Sequence, residues 1–271
     1  MVGYAKYSGY NALGQVGKIE YQNGVTTGYE YEQLTNRLSR LRSPAPPELS
    51  ALQDLEYIYD DVGNITDIID HLSSANSQHF TYDDLNRLKT AQSGAFQAGT
   101  IDWDYDEIGN MTYNSKVGAL PYEYATDYGC EYPSSKPHAV TRAGADAYCY
   151  DKNGNMTDKN RGAAGARRIE YDAENRVKSI TSGGATVQFV YDHKGERVKK
   201  IQGGVETIYI GGALEIKGTE TTKHYFGGGK RAATRKGNNL YYIHGDHLGS
   251  LSFATDTLDQ EKQTTIYLPI W

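Results

Sequence analysis

Three groups of residues have the types and spacing for chemistry. His244, Asp246 and His247 set two imidazoles and a carboxylate close together in sequence, an arrangement suited to holding a metal ion or relaying a proton. No further ligand stands beside them, and the segment Gly245-Asp246-His247-Leu248-Gly249-Ser250 has the makeup of a turn. The simpler expectation is that Asp246 caps backbone amides while the histidines pack or bond locally. Asp102, Asp104 and Asp106, followed by Gly109, alternate like the start of a calcium loop. Such a loop needs glycine where Glu107 stands and glutamate where Tyr113 stands, so a solvated polar strand face is expected instead. Lys230, Arg231, Arg235 and Lys236 lie among glycines and read as a solvated loop rather than a phosphate site. No serine sits in a GxSxG setting, and neither Cys130 nor Cys149 has a histidine beside it, so nucleophilic catalysis has no support. The two cysteines could form one bond, unpaired thiols being the simpler reading. No catalytic, cofactor-binding or metal-binding residue is assigned, and no cofactor is expected.

The elements that must position these groups are written as a repeat. Tyr57-Ile58-Tyr59-Asp60-Asp61-Val62-Gly63-Asn64-Ile65 is one copy. The pattern is an aromatic, a variable residue, Tyr-Asp, two variable residues, Gly or Asn, a polar residue and an apolar one. The anchoring tyrosines are Tyr59, Tyr82, Tyr105, Tyr150, Tyr171 and Tyr191, with looser copies at Tyr10 and Tyr31. Successive spacings are 23, 23, 45, 21 and 20 residues, so the long one reads as two periods with a degenerate copy near Tyr128. A period of about 22 residues marks stacked supersecondary units.

Residue type dictates the geometry of each unit. The aspartates Asp60, Asp83, Asp106, Asp151, Asp172 and Asp192 can each accept a hydrogen bond from an amide two residues on, which starts a turn. Four residues after each tyrosine stand Gly63, Asn86, Gly109, Gly154, Asn175 and Gly195, the residue types most tolerant of a left-handed backbone. A type I turn closed by a left-handed residue is a three-residue hairpin loop with a bulge. Fixing the loop fixes the register: the tyrosine opposes the sixth residue after it and the aspartate opposes the fifth. The fifth residues are Asn64, Arg87, Asn110, Asn155 and Arg176, so Asp83 with Arg87 and Asp172 with Arg176 are expected cross-strand ion pairs. The sixth residues, Ile65, Leu88, Met111, Met156 and Val177, are apolar; in the Tyr191 copy the apolar residue is expected one place later, at Val198. Tyr57, Phe80, Trp103, Tyr148, Ile169 and Phe189 join the tyrosines on one face by strand alternation.

The expected fold is all-β: antiparallel hairpins forming a continuous sheet that spirals, or rolls into a partial shell or barrel. An unbroken repeat favours a single domain over 1–271, with hairpin repeats over 1–200 and terminal strands over 201–271. Ser43-Pro44-Ala45-Pro46-Pro47 reads as a surface excursion, since prolines remove ladder donors. The chain holds 24 Tyr beside 5 Phe and 2 Trp, with 30 Gly, as suits a sheet with a semi-polar face. No apolar run is long enough for a membrane helix, the polar start at Met1–Lys6 is no signal peptide, and a net charge of −6 disfavours nucleic acid as a partner. Open strand edges invite self-association.

The YDxxGN and YDxxNR copies, Ser135-Lys136-Pro137-His138-Ala139-Val140 ahead of a YDxxGN copy, and the HxDHLGS segment from His244 to Ser250 together resemble bacterial Rhs or YD-repeat proteins. That resemblance spans nearly the whole chain and is similar in kind to wall-associated proteins, the C component of Tc toxin complexes and the YD shell of animal teneurins. It implies a hollow β-shell that encloses a C-terminal toxin, or scaffolds cell contact, and a secreted or cell-surface location. Implied partners are further shell segments or toxin cargo. Cargo-bearing relatives continue past a segment like Tyr267-Leu268-Pro269-Ile270-Trp271 into self-cleaving aspartates and a toxin, and neither is present, so no proteolysis is expected. The expected function is a structural, non-enzymatic shell segment. The alternative is a carbohydrate- or receptor-binding module that stacks sugars on the tyrosine-rich face.

Overall fold

Each Tyr-Asp step starts a turn because its carboxylate takes up amides that the reversing chain would leave bare. The computed structural model describes residues 3–45, 50–97, 99–118, 120, 122–132, 136–163, 165–258 and 261–264. In it Asp60 Oδ1 accepts from the amides of Val62, Gly63 and Asn64 at 2.7–3.1 Å. Asp83, Asp106, Asp151, Asp172 and Asp192 each capture the amide four residues on in the same way. The closing residue has positive φ in every copy, from 59° at Asn86 and Asn175 to 104° at Gly63. Tyr59 pairs with Ile65, Tyr82 with Leu88, Tyr105 with Met111, Tyr150 with Met156 and Tyr171 with Val177, each beside a bulge.

The strands follow in chain order. β1 (Ala5–Ser8), β2 (Lys18–Tyr21), β3 (Thr26–Tyr31), β4 (Leu38–Ala45), β5 (Ser50–Tyr59), β6 (Ile65–Asp70), β7 (Gln78–Tyr82) and β8 (Leu88–Gln92) come first. Then come β9 (Thr100–Tyr105), β10 (Met111–Asn114), β11 (Tyr122–Tyr124), β12 (Val140–Ala143), β13 (Asp146–Tyr150), β14 (Met156–Lys159), β15 (Arg167–Tyr171) and β16 (Val177–Ser182). They are followed by β17 (Ala185–Tyr191), β18 (Arg197–Gln202), β19 (Val205–Ile210) and β20 (Leu214–Lys217). The last are β21 (Glu220–Gly227), β22 (Lys230–Lys236), β23 (Asn239–Gly245), β24 (Leu251–Thr255) and β25 (Glu261–Thr264). Strand pairing is antiparallel between sequence neighbours, as hairpin repeats require. Neither strand order is cyclic, so the described strands form open sheets and not a barrel.

The chain divides into two compact units, Met1–Thr100 with Thr221–Trp271, and Ile101–Glu220. In the first, a core of Ile19, Tyr21, Ala233, Leu240 and Tyr242 joins β2 to β22 and β23, with Tyr7, Tyr29 and Tyr225 packed on it. In the second, Ile101, Trp103, Ala143, Cys149 and Ile169 are buried. In four copies the residue two before the motif tyrosine goes deepest: Tyr57, Phe80, Trp103 and Ile169 are buried while their tyrosines are half-buried, whereas Tyr148 and Phe189 are half-buried themselves.

Tyr191 pairs with Arg197, the sixth residue after it, so the common register holds in this copy too, with the Arg197 guanidinium over the Phe189 and Tyr209 rings where other copies have an apolar residue. Four expectations are corrected. The degenerate copy is anchored by Tyr124, which pairs with Val140 across a long insertion, and not by Tyr128. Ser43 and Pro44 are part of β4, with Ser43 fully buried against Thr27; Pro44 is tolerated because it follows a bulge, while Pro46 and Pro47 lie outside the described residues. Lys230–Lys236 is strand β22 and not a loop. Cys130 and Cys149 are bonded, which clips the insertion after Tyr124 to β13. Ser135 and the segment from Tyr267 to Trp271 lie outside the described residues.

At Gly109 (φ 90°) an added Cβ meets nothing within 4 Å, so backbone strain alone decides the cost of substitution. Gly109→Val is expected to lose about 1–2 kcal/mol and Gly109→Asn much less, because a β-branched residue resists the left-handed region. Thermal unfolding of the two variants checks this, and equal melting temperatures would refute the loop geometry.

Candidate functional site

The repeat residues build an edge on which one hairpin is joined to the next. Between successive hairpins the strand ladder stops short of the Tyr-Asp loop. β6 and β7 pair only from Asp67–His79 onward, β14 and β15 from Asp158–Arg168, and β16 and β17 from Ser179–Gln188. The carbonyls of Ile65, Met156 and Val177, the sixth residues after their motif tyrosines, thus lie beyond the ends of these ladders. The tyrosine of the next hairpin supplies a donor: Tyr82 donates to the Ile65 carbonyl, Tyr171 to Met156 and Tyr191 to Val177 at 2.8–2.9 Å. Tyr31 to Val16, Tyr59 to Leu38, Tyr124 to Met111 and Tyr150 to Val140 complete the series at 2.7–3.0 Å. Burial pushes the phenols of Tyr31, Tyr59, Tyr82, Tyr150 and Tyr171 up, and that of Tyr124 to about 12, where the Asp106 charge adds to burial; these stay protonated donors.

The fifth residue works in the opposite direction. Asn64 donates to Asp60 Oδ2 within its own loop and to Asn86 Oδ1 in the following one, at 2.8 and 3.0 Å. Asn155 does the same with Asp151 and Asn175. Arg176 bonds Asp172 at 2.8 Å and reaches the Asp192 carbonyl at 3.2 Å; Arg37 reaches the Asp60 carbonyl. Arg87 bonds Asp83 at 2.7 Å. Asn110 bonds Asp106 and the Pro137 carbonyl, with His138 on its amide oxygen. Asn and Arg share what the position needs, two or more N–H donors on one planar head. Gly63, Gly109, Gly154 and Gly195 close their loops with the positive φ already described. The Arg87 amide, then its guanidinium, hold the Asp83 carboxyl below its ordinary value, and Arg176 does so for Asp172.

The remaining candidates do not converge. His244 Nε2 bonds Thr255 Oγ1 at 2.9 Å in the core, whereas the His247 ring lies against Tyr57 at 4.8 Å. Asp246 accepts from the Leu248 and Ser250 amides, and Gly249 has positive φ, so this segment is one more copy of the loop with Gly245 in the tyrosine's place. Its spacing was legible, but the missing aromatic hid it. Asp106 is spent on its turn, and among the described residues no group of three or more His, Cys, Asp or Glu is placed to hold a metal. In the cluster on β22, Lys230 lies over Tyr29, Arg231 over Phe226, and Arg235 faces the carbonyl of Asn238. The second unit has a polar groove of about 390 Å³ between Glu131 and Tyr132 on one side and β15 on the other. Among the described residues no helix is long and apolar enough to cross a membrane.

A ladder of antiparallel hairpins joined through tyrosine hydroxyls is a YD-type repeat scaffold. No family model matches the chain. It is 34% identical over 108 residues to the toxin subunit YenC2 of Yersinia entomophaga, covering 34% of this chain and 11% of that protein. To the toxin subunit YenC1 of the same organism it is 47% identical over 60 residues, 21% of this chain and 6% of the relative. The chain thus spans about a tenth or less of the curated relatives it matches. Among solved structures, TcdB2-TccC3-TEV matches 98% of this chain and 16% of its own with a TM-score of 0.69 at 19% identity. TcdB2-TccC3 without its hypervariable C-terminal region matches 98% and 15% with 0.60 at 18% identity. These relatives and neighbours are consistent with an Rhs/YD-repeat family, and the fold is that of the TcdB2-TccC3 structures.

Replacing a bonded tyrosine leaves a carbonyl bare. Tyr82→Phe and Tyr171→Phe are each expected to cost about 1 kcal/mol in urea unfolding, while Tyr10→Phe, 56% exposed, is expected to change nothing measurable. Depressed Asp83 and Asp172 add a pH dependence: their stabilisation is complete above the ordinary 3.8 and is lost as pH falls through the lower folded value. Asp83→Asn and Asp172→Asn are expected to flatten the acid limb of a stability–pH curve.

Proposed function

We propose that this chain is a structural, non-enzymatic wall segment of an Rhs-type shell that encloses or scaffolds a toxin or effector domain. The observation that carries this reading is the hairpin-to-hairpin join: Tyr59, Tyr82, Tyr150, Tyr171 and Tyr191 are each spent on the hairpin before, and Asn64, Asn155 and Arg176 on the loop after. A sheet extended in this way can be lengthened copy by copy without a new core, as a wall requires. The likeness to toxin subunits and to the TcdB2-TccC3 structures supports the same reading. The partners are then further shell segments and a cargo, and the setting is extracellular. The repeat residues act as fasteners, and Leu248, Gly249 and Ser250 with Asp246 form one further loop of the same shape. Glycan or receptor binding has no comparable support, since the motif hydroxyls that would meet a sugar are bonded to backbone carbonyls.

In the native gene product that carries this segment, a cargo domain is expected to resist added protease until the shell is denatured. Tyr82→Phe combined with Tyr171→Phe is expected to expose it earlier in the urea series. Cleavage of the cargo at the same rate as the isolated domain would refute enclosure.

A further inference from the structure

The first unit is shut by contacts between residues 199 to 233 positions apart. Tyr21 on β2 donates to the Ile243 carbonyl on β23 at 2.9 Å. Asn23 Nδ2 donates to Thr255 Oγ1 and to the Asp256 carbonyl at 3.0 and 2.9 Å. Gln53 on β5 donates to Ser252 Oγ on β24 at 2.7 Å. At the centre is His244, with no solvent exposure, stacked on Phe253 at 4.2 Å and against Tyr21 at 4.3 Å.

This imidazole is built to be neutral. Its Nε2 meets Thr255 Oγ1, a hydroxyl that already accepts from Asn23, and its Nδ1 is buried without a hydrogen-bond partner. In either neutral tautomer the ring forms one bond and hides one nitrogen. A protonated ring has two N–H donors and needs two acceptors, yet Nδ1 has none and Nε2 can no longer accept from Thr255. The groups that face it are Tyr21 from β2 and Phe253 and Thr255 from β24, and Tyr242 of its own strand packs edge-on against Tyr21. Burial raises both tyrosine phenols, so neither offers a negative charge. Next along the chain, Asp246 is engaged with the Leu248 and Ser250 amides, and His247 is itself held neutral by burial against Tyr57, with the Asp246 charge opposing this. Tyr57, whose hydroxyl is also buried without a partner, is likewise kept protonated.

We propose that the β23–β24 hairpin is an acid-released latch: it holds the N-terminal hairpins β2 to β5 while His244 is neutral and lets go when His244 takes up a proton. The sign follows from burial, which lowers the folded-state value from the ordinary 6.5 to about 3. The latch contact is therefore complete above the ordinary value and weakens steadily as pH falls below it towards the folded value. Between about pH 7.5 and about pH 5 the opening equilibrium of the latch is expected to rise roughly thirty-fold.

Hydrogen exchange on the full chain tests this, with rates corrected for the pH dependence of intrinsic exchange. The amides of Lys18–Tyr21 and Leu251–Thr255 are expected to show the thirty-fold rise while those of Val177–Ser182 in the second unit do not. In His244→Phe, which keeps the ring stack and cannot titrate, the acid dependence is expected to vanish. Persistence of that dependence in His244→Phe, or its absence in the unaltered chain, would overturn the proposal. If the variant fails to fold, NMR titration of the unaltered chain decides: a His244 ring still neutral at about pH 5 in the closed form supports the latch, and an ordinary histidine titration refutes it.

Discussion

A twisted sheet cannot keep neighbouring hairpins in register along their whole length, so their ladders part near the loops and leave carbonyls without partners. The tyrosine hydroxyl answers this constraint. It reaches back one hairpin and takes up the first carbonyl beyond the end of the ladder, as Tyr82 does at Ile65 and Tyr171 at Met156. A phenylalanine would fill the same space and leave the carbonyl bare. This favours tyrosine over phenylalanine at the repeat positions of a chain with 24 Tyr and 5 Phe. The semi-polar face is thus an internal seam, with the ring packed and its polar tip consumed.

The other repeat residues follow from the same seam. A carbonyl can be met only if the tyrosine leaves its own loop at a fixed angle, which the aspartate and the left-handed residue enforce. The Asn or Arg then ties each loop to the next from the other side. Where that donor is lost the chain changes character. Glu196 stands at the fifth position of the Tyr191 copy and its side chain has no N–H to give. Beyond it the hairpins β19–β20 and β21–β22 are turned by glycine pairs, at Gly211-Gly212 and Gly228-Gly229. The loosening of the period after residue 200 coincides with the loss of that forward donor.

What was legible in the sequence was local. The loop, its register and the ion pairs of Asp83 and Asp172 depend on residues at most six apart, whose types leave few alternatives. The seam was not legible, because a tyrosine and the carbonyl it meets stand 10 to 21 residues apart and the carbonyl carries no residue identity. Tyr124 was hidden by the insertion before Val140, and the Cys130–Cys149 bond by the absence of a framework from which to infer it. The burial of His244 was the furthest from reach. Histidine in a glycine-rich turn reads as a surface group, and only β2 and β24 together exclude the solvent from it.

The closing contact in the first unit uses the seam's chemistry in a new direction. At Gly245 the β23–β24 hairpin lacks the tyrosine that would fasten it backward. It is fastened instead by Tyr21, which is not a motif tyrosine but makes the same hydroxyl-to-carbonyl bond to a strand 222 residues away. A repeat joint has neighbours on both sides to share any loss, whereas this joint stands alone around one buried imidazole and three polar atoms without partners, at Gln53, Tyr57 and His244. Unsatisfied buried groups cost stability in the closed state and nothing in the open one. The terminal hairpin is therefore the place where the first unit most readily opens, while the repeat seams on either side stay fastened.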